Sequence, residues 1–450
     1  MEHAVAHVSR AEKFLEAYNR YAYYYTFIER LYAYTIPKNS RILHFGCSNG
    51  FIIRSCKPSY AVGVDDSSFA TFFLNSIPSA SRSKFNFFSS LEDVISDTPF
   101  DYIIVSASWL KYVHDAQEVF KKIQKFCSSD TRIIIEYTYS LLPIMPQDLK
   151  HLCALTDLDI ITEKRELLIS VGVPLLADFL NYIIARLPII SALCLMRLYI
   201  VRQTPKIKQK EYSVSVIIPC KNEAGTIEAA VLRTPSMGTS TELILIDGNS
   251  KDSTVDVMQA MVTKYPHKNI AWFVQSAKGK KNAVEEGFAC AQGEIIMILD
   301  GDITVAPEEL PKFYEALASG KGECINGSRL VYPMQRGAMQ PLNWFVNWTF
   351  GFMISYVIGQ PIKDTLCGTK VFFKKDLKMI TESKKFFGDI DPFGDFDILC
   401  GAAYCNLKIL DMPVHYKSRT YGAPGIAFFK SGLQLLYMSF MVFKKLFLRR

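Results

Sequence analysis

The chain has no uninterrupted apolar run of the kind that crosses a bilayer. A spanning helix needs about 20 consecutive apolar residues, and no window offers them although 49% of the 450 residues are hydrophobic. The most apolar stretch, "LLISVGVPLLADFLNYIIARLPIISALCLMRLYIV" (167–201), is divided by Pro174, Asp178, Arg186, Pro188 and Arg197. It reads either as a core hairpin or as an amphipathic helical segment lying on a membrane. Cysteine pairing is absent as well. The 11 cysteines are scattered, with no C-x-x-C and no metal-ligand spacing, which argues against a zinc site and for free thiols in a reducing compartment. The start, "MEHAVAHVSRAEKFLEAYNRY", has no apolar core and no glycine at position 2, so neither a signal peptide nor an N-myristoylation signal is read there. A cytoplasmic location is expected, with peripheral contact to the cytoplasmic membrane face. Extreme charge is missing too: a net +7 suits phosphates or an anionic membrane surface, and does not argue for nucleic acid. No internal repeat or low-complexity segment is visible.

What is present exceeds one core, so two or three domains are expected. Two runs of strand-turn-helix patterning open at "RILHFGCSNG" (41–50) and "YSVSVIIPCKNE" (212–223). Between them "RQTPKIKQKEY" (202–212), lysine-rich and broken by Pro205, reads as a linker, with the boundary near Lys208. The expected layout is 1–201, a linker at 202–211, 212–424, and a basic amphipathic tail at 425–450. The fold class is α/β, with two doubly wound domains.

In the first half, a strand runs into a glycine turn at "RILHFGCSNG". A second strand ends in acids at "AVGVDDSS" (61–68), and "FDYIIVSASWLKYVHD" (100–115) follows. A glycine turn brings backbone N–H groups to a ligand, and an acid ending the second strand can hold ribose hydroxyls. The set resembles class I S-adenosylmethionine-dependent methyltransferases over roughly 24–139. That resemblance implies a Rossmann-like fold, S-adenosylmethionine as cofactor, Gly46 and Gly50 in the cofactor turn, and Asp65 at the ribose. The chain departs from the family pattern at His44, where an acid is usual, and at Ser48, where a glycine is usual. Methylation, or cofactor binding alone, both stay open.

Four features follow in the second half: "SVIIPCKNEAGTIEAAV" (215–231), "ELILIDGNSKDSTVDVM" (242–258), "AKGKKNAVEEGFACAQGEIIMILDGD" (277–302) and "FGDFDILCGAAYCNLKIL" (393–410). Acids at the carboxyl ends of parallel strands point into the crevice where such sheets bind ligands. Asp247 is placed to grip a base or ribose, and Lys278 lies in a loop suited to phosphate. Asp302 is placed to hold a cation against a pyrophosphate, because two close acids in an apolar site need compensation. Each has a plainer alternative in turn chemistry or a solvated loop.

Taken in order, "IIPCKNE", "IDGNSKDST", "GKKNA", "LDGD", "DTLCGTK" (364–370), "FGDFD" and "RTYG" (419–422) resemble family 2 glycosyltransferases of the GT-A fold, nearest the dolichyl-phosphate mannose synthase-like branch. The resemblance implies a nucleotide-sugar donor contacted by Pro219, Glu223, Asp247 and Lys278. It also puts Asp300 on the ribose side and Asp302 on Mg²⁺ or Mn²⁺, and implies direct displacement with inversion. Asp397 is the first candidate for the base and Asp395 the second, held by helix amides; a simple N-cap is the alternative for either. Arg419 is expected to grip an acceptor or donor phosphate. The acceptor is a lipid phosphate or a glycan. The branch favours polyprenyl phosphate, and the uncharged "GAMQPLNWFVNWTFGFMISYVIGQPI" (337–362) reads as a helix lining its groove. A nucleotidyltransferase of similar fold and a membrane-docked scaffold with an inactive first half are the competing readings.

Overall fold

A computed structural model describes residues 14–106, 109, 115–138, 146–205, 210–335, 338–383, 391, 394–419, 421, 437, 440, 441 and 444. The chain divides into two units, the first closing at Thr204 and the second opening at Pro205. Most of the tail expected at 425–450, and residues 206–209 of the expected linker, lie outside the described residues. Both units are mixed α/β, each built on a sheet dominated by parallel strands.

The first sheet contains β1 (Arg41–Phe45), β2 (Tyr60–Val64), β3 (Phe85–Phe88), β4 (Phe100–Val105), β5 (Cys127–Thr138), β6 (Leu158–Glu166) and β7 (Met196–Gln203). Its order is β3-β2-β1-β4-β5-β7-β6. The first five pair in parallel, and β7 runs antiparallel between β5 and β6. Strands such as Ile133–Ile135 are buried on both faces, which is why they read as continuous apolar runs rather than alternating ones. Burying each such side chain contributes about 1.5–3 kcal/mol. The order reverses between β1 and β4, so a crevice opens there at the carboxyl ends of the strands.

The stretch 167–201 corrects one expectation, for it is mostly not helical. Only Leu176–Tyr182 forms an α-helix, followed by short 3₁₀ turns at Ile184–Arg186 and Ile190–Leu193. Its last part joins β7. Pro174 and Pro188 cannot sit inside a helix, and "MRLYIV" suits a slot between two strands better than a surface. The stretch's three charges find partners: Asp178 accepts from the Tyr23 hydroxyl at 3.0 Å, Arg186 pairs with buried Glu166, and Arg197 pairs with Glu163 at 2.7 Å.

The second sheet contains β8 (Val214–Cys220), β9 (Thr241–Asp247), β10 (Asn269–Val274), β11 (Ile295–Ile298), β12 (Cys324–Ser328), β13 (Lys370–Phe373) and β14 (Ile409–Pro413), in the order β10-β9-β8-β11-β13-β12-β14. β8 to β11 pair in parallel, β13 opposes both its neighbours, and β12 runs parallel to β14. Here the order reverses between β8 and β11. The uncharged stretch forms the helix Pro341–Ile358, ended by Gly359 in the left-handed region at φ 73°. Its buried Asn347 faces the protein, whereas Trp344, Phe345, Trp348 and Phe352 are exposed. No helix among the described residues is long and apolar enough to cross a membrane.

Candidate active site

The crevice between β8 and β11 collects acids. Cys220, the last residue of β8, is buried. Burial pushes its thiol well up, and Glu223, Asp247, Asp300 and Asp302 around it push the same way. Four carboxylates thus share one neighbourhood, drawn from the carboxyl ends of β8, β9 and β11. Local hydrogen bonds set each one. Asp247 accepts the Ser250 amide at 3.1 Å. The Ser250 hydroxyl accepts from the Asn222 amide at 2.8 Å, and Thr254 Oγ1 from the Glu223 amide at 2.9 Å. These bonds stitch the loops after β8 and β9 together. The loop after β11 is tied in by the Gly301 amide, donated to Pro219 O at 3.3 Å, and by Thr226 Oγ1, donated to Gly301 O at 2.7 Å.

The two acids of "LDGD" face different partners. Asp300 Oδ1 lies 2.7 Å from Lys280 Nζ, which also approaches Asp395 Oδ2 at 3.6 Å. Asp302 Oδ1 accepts from Thr304 N and Oγ1 at 3.1 and 2.9 Å, and its Oδ2 accepts from Arg419 Nη2. Ile303, next in the chain, has φ 48°. A β-branched residue there is strained, and such strain gathers where structure aims a functional group. Arg419 also donates from Nη1 to Glu223 Oε1 at 3.2 Å, so one guanidinium bridges two acids. Two residues on, the Tyr421 hydroxyl donates to Asp252 at 3.3 Å.

Charge and burial divide the carboxyls. Burial, reinforced by Asp302 and opposed by Arg419, pushes Glu223 up to about 7. Burial also pushes Asp395 up to about 6, against Lys280. Asp300 is only partly buried, at 34% exposed; what desolvation it has would raise it, but Lys280 more than offsets that and holds it below its ordinary value. Behind this floor, Arg329 grips Asp364 at 2.7 and 2.9 Å, and Asn347 adds a bond to the same carboxylate at 2.7 Å.

Of the residues picked from sequence, Pro219, Glu223, Asp247, Asp300, Asp302, Arg419 and Asp395 are brought to this crevice. Lys278 is exposed on the preceding loop. Asp397 turns instead to Lys281, whose Nζ lies 2.7 Å from its Oδ2. The amides of Phe396 and Asp397 donate to Asp391, not to Asp395, at 2.8 and 3.1 Å. Asp391 is therefore the cap, and the expectation that amides hold Asp395 is corrected. Lys280, Lys281 and Asp391 carried no role in the sequence reading. A signal for the lysines existed: two cations opening the helix Lys280–Cys290 oppose its dipole, so they need anionic partners.

In the first unit, Gly46, Ser48 and Gly50 all adopt positive φ, 77°, 48° and 75°. Ser48 thus takes the left-handed conformation that its departure from glycine makes costly. Asp65 Oδ2 accepts the Ser48 amide at 2.7 Å and Oδ1 the Asp66 amide at 2.8 Å. Gly46, Gly50 and Asp65 therefore meet at the carboxyl ends of β1 and β2. His44, fully buried, has its Nε2 2.9 Å from Ser106 Oγ across the β1/β4 reversal. Burial lowers its pKa to about 3, so the ring is neutral.

Residues 215–381 match the family described as Glycosyl transferase family 2. A dolichol-phosphate mannosyltransferase from Pyrococcus furiosus is 37% identical over 120 residues, 26% of this chain and 33% of the relative. The chain spans about a third of the length of the curated relatives it matches. Among solved structures, glucosyl-3-phosphoglycerate synthase from Mycobacterium tuberculosis, in complex with Mn²⁺, uridine diphosphate and glucosyl-3-phosphoglycerate, aligns with 52% of this chain and 80% of its own. Its TM-score is 0.38 at 17% identity. A TehB-like S-adenosylmethionine-dependent methyltransferase from Corynebacterium glutamicum aligns with 43% of this chain and 98% of its own, at TM-score 0.31 and 14% identity. Residues 215–381 thus make the second unit the bearer of a family 2 glycosyltransferase domain.

Proposed function

We propose that the second unit is a metal-dependent, inverting glycosyltransferase that moves a sugar from a nucleotide-sugar to a lipid phosphate or a glycan. The observation that carries this is the convergence of Glu223, Asp247, Asp300 and Asp302 on Cys220 at the strand reversal, inside the matched family region. A hard divalent cation fits the donor set, since carboxylate oxygens suit Mg²⁺ or Mn²⁺. Among the described residues no group of three or more His, Cys, Asp or Glu side chains is set to hold a metal alone. Asp302 would hold such a cation together with oxygens of the donor itself, as carboxylates hold Mg²⁺ in phosphate sites; the ion would there supply charge to offset the departing diphosphate.

The chain's own residues supply the rest. Asp247, sunk at the end of β9, offers a carboxylate to the base or ribose. Asp300, held ionised by Lys280, faces the ribose side. Arg419, which bridges Glu223 and Asp302, offers a guanidinium to a phosphate entering the crevice. Asp395 reaches Asp300 through Lys280 and is the better placed of the two base candidates. A proton acceptor matters for a sugar hydroxyl but not for a lipid phosphate, whose second pKa of about 6 leaves it ionised near neutrality. The dolichol phosphate in the relative's name favours the lipid phosphate. The exposed aromatic face of the helix Pro341–Ile358 suits a membrane-surface acceptor. The test is release of nucleoside diphosphate from a panel of sugar nucleotides, with and without polyprenyl phosphate. Acceptor-stimulated release supports the reading, and release of pyrophosphate would instead point to a nucleotidyltransferase.

The first unit keeps the strand order expected of its fold, but its turn does not fit S-adenosylmethionine. A neutral, buried His44 stands where the resemblance calls for a carboxylate, and Ser48 holds the left-handed conformation where it calls for glycine. We assign it no methyl-transfer step.

A further inference from the structure

Two helix starts abut beside the crevice. Lys280 and Lys281 open one, and Asp395 and Asp397 lie in the first turn of the other. Residues two apart on a helix do not share a face, so Asp395 and Asp397 have separate surroundings. Asp395 looks toward Lys280 and Asp300. Asp397 looks toward Lys281, with Asp391 and Cys400 as its other titratable neighbours. The Lys281–Asp397 pair is nearly dehydrated, the side chains being 15% and 8% exposed. Gly394, at φ 83°, precedes Asp395, and a Cβ there would sit 3.6 Å from Lys281 Cα. Just after that turn, the Asp391 carboxylate accepts from the consecutive amides of Phe396 and Asp397.

We propose that Lys281 and Asp397 form a positioning pair: they lock the start of the helix Asp395–Tyr404 against the helix Lys280–Cys290, and so fix the Asp395 carboxylate in the crevice. Asp397 is then a strut, not a reacting group. The inference rests on the glycosyltransferase reading and deepens it. Removing either partner breaks a nearly dehydrated ion pair and shifts Asp395; misplacement by about 1 Å costs on the order of a hundredfold in rate.

The experiment compares turnover and donor binding of the full chain carrying Lys281→Met, Asp397→Asn, the charge reversal Lys281→Asp/Asp397→Lys, and Asp395→Asn, with thermal melting of each. Toward a hydroxyl acceptor, both singles are expected to lose about ten- to a hundredfold in kcat with donor binding nearly unchanged. The reversal is expected to regain most of the loss, and Asp395→Asn to stay low. Single variants fully active toward that hydroxyl acceptor, beside an active wild type, would overturn the pair and keep the glycosyltransferase reading. A folded, donor-binding reversal that remains as slow as Asp397→Asn would also overturn it, because Asp397 would then act itself. A wild-type chain without turnover on any donor would overturn both.

Discussion

Gly368 offers a perturbation whose size is readable from the structure. A Cβ built on it would lie 2.2 Å from Asp300 Oδ2 and 2.6 Å from Lys280 Nζ. Ordinary carbon contacts lie near 3.5–4.0 Å, so Gly368→Ala forces both groups to retreat by roughly 1 Å. Both atoms are the ends of flexible side chains, not backbone, so the cost to folding is small, about 1 kcal/mol or less. The cost to function is larger. Asp300 and Lys280 are paired at 2.7 Å, and a shift of that size in a group that orients a substrate costs on the order of a hundredfold. The prediction is a split: a melting temperature within a few degrees of wild type, and a ten- to hundredfold loss in donor affinity or turnover. Calorimetric titration with the donor, nucleoside diphosphate release and a thermal melt read the two sides. Unchanged donor binding and turnover would show that Asp300 and Lys280 do not meet the donor. A collapse in melting temperature would show that the site cannot yield as its side chains suggest.

Two predictions concern the first unit. Burial pushes Glu136 up to about 7 despite the hydrogen bond donated by the Tyr32 hydroxyl at 3.2 Å. A carboxyl raised on folding stabilises below its unfolded value, near 4.5, and that contribution is lost as pH rises through about 7; at about 1.4 kcal/mol per pH unit the loss is roughly 3 kcal/mol. Chemical denaturation followed at pH 5 and pH 8 is expected to show this loss in wild type and a much flatter profile in Glu136→Gln; equal slopes would remove Glu136 as its source. Titration of the full chain with near-millimolar S-adenosylmethionine is expected to give no binding heat, and a saturable isotherm would return the first unit to its family's chemistry.

The strands of both crevices were legible because each is an apolar run, with β1, β2, β9 and β11 running into glycine or acid, and the order of those runs carried the fold class. "LDGD" and "IDGNS" stood out as candidate site residues because acids at the carboxyl ends of parallel strands face the crevice where such sheets bind ligands. Other parts were hidden for physical reasons. β7 lies inside an apolar stretch whose composition suits a strand, a core helix or a membrane surface equally, and only its partners β5 and β6 decide. Asp395 and Asp397 are chemically alike two residues apart, and only the facing lysines distinguish them. Asp391 caps a helix from outside its first turn, beyond the pattern that marks an ordinary N-cap. Lys278 drew attention because its loop suits phosphate, and Lys280 and Lys281 were passed over. The helix dipole, which makes those two costly without anionic partners, was a signal for them.

The central claim is that Asp302 serves a sugar-nucleotide site in the second unit. Its most direct test is nucleoside diphosphate release from UDP- and GDP-sugars with Mn²⁺ and polyprenyl phosphate, by wild type beside Asp302→Ala. The account predicts release from one donor, lost by at least about a hundredfold in Asp302→Ala, since the ion is worth several kcal/mol to the leaving group. Equal release by the two proteins would contradict it.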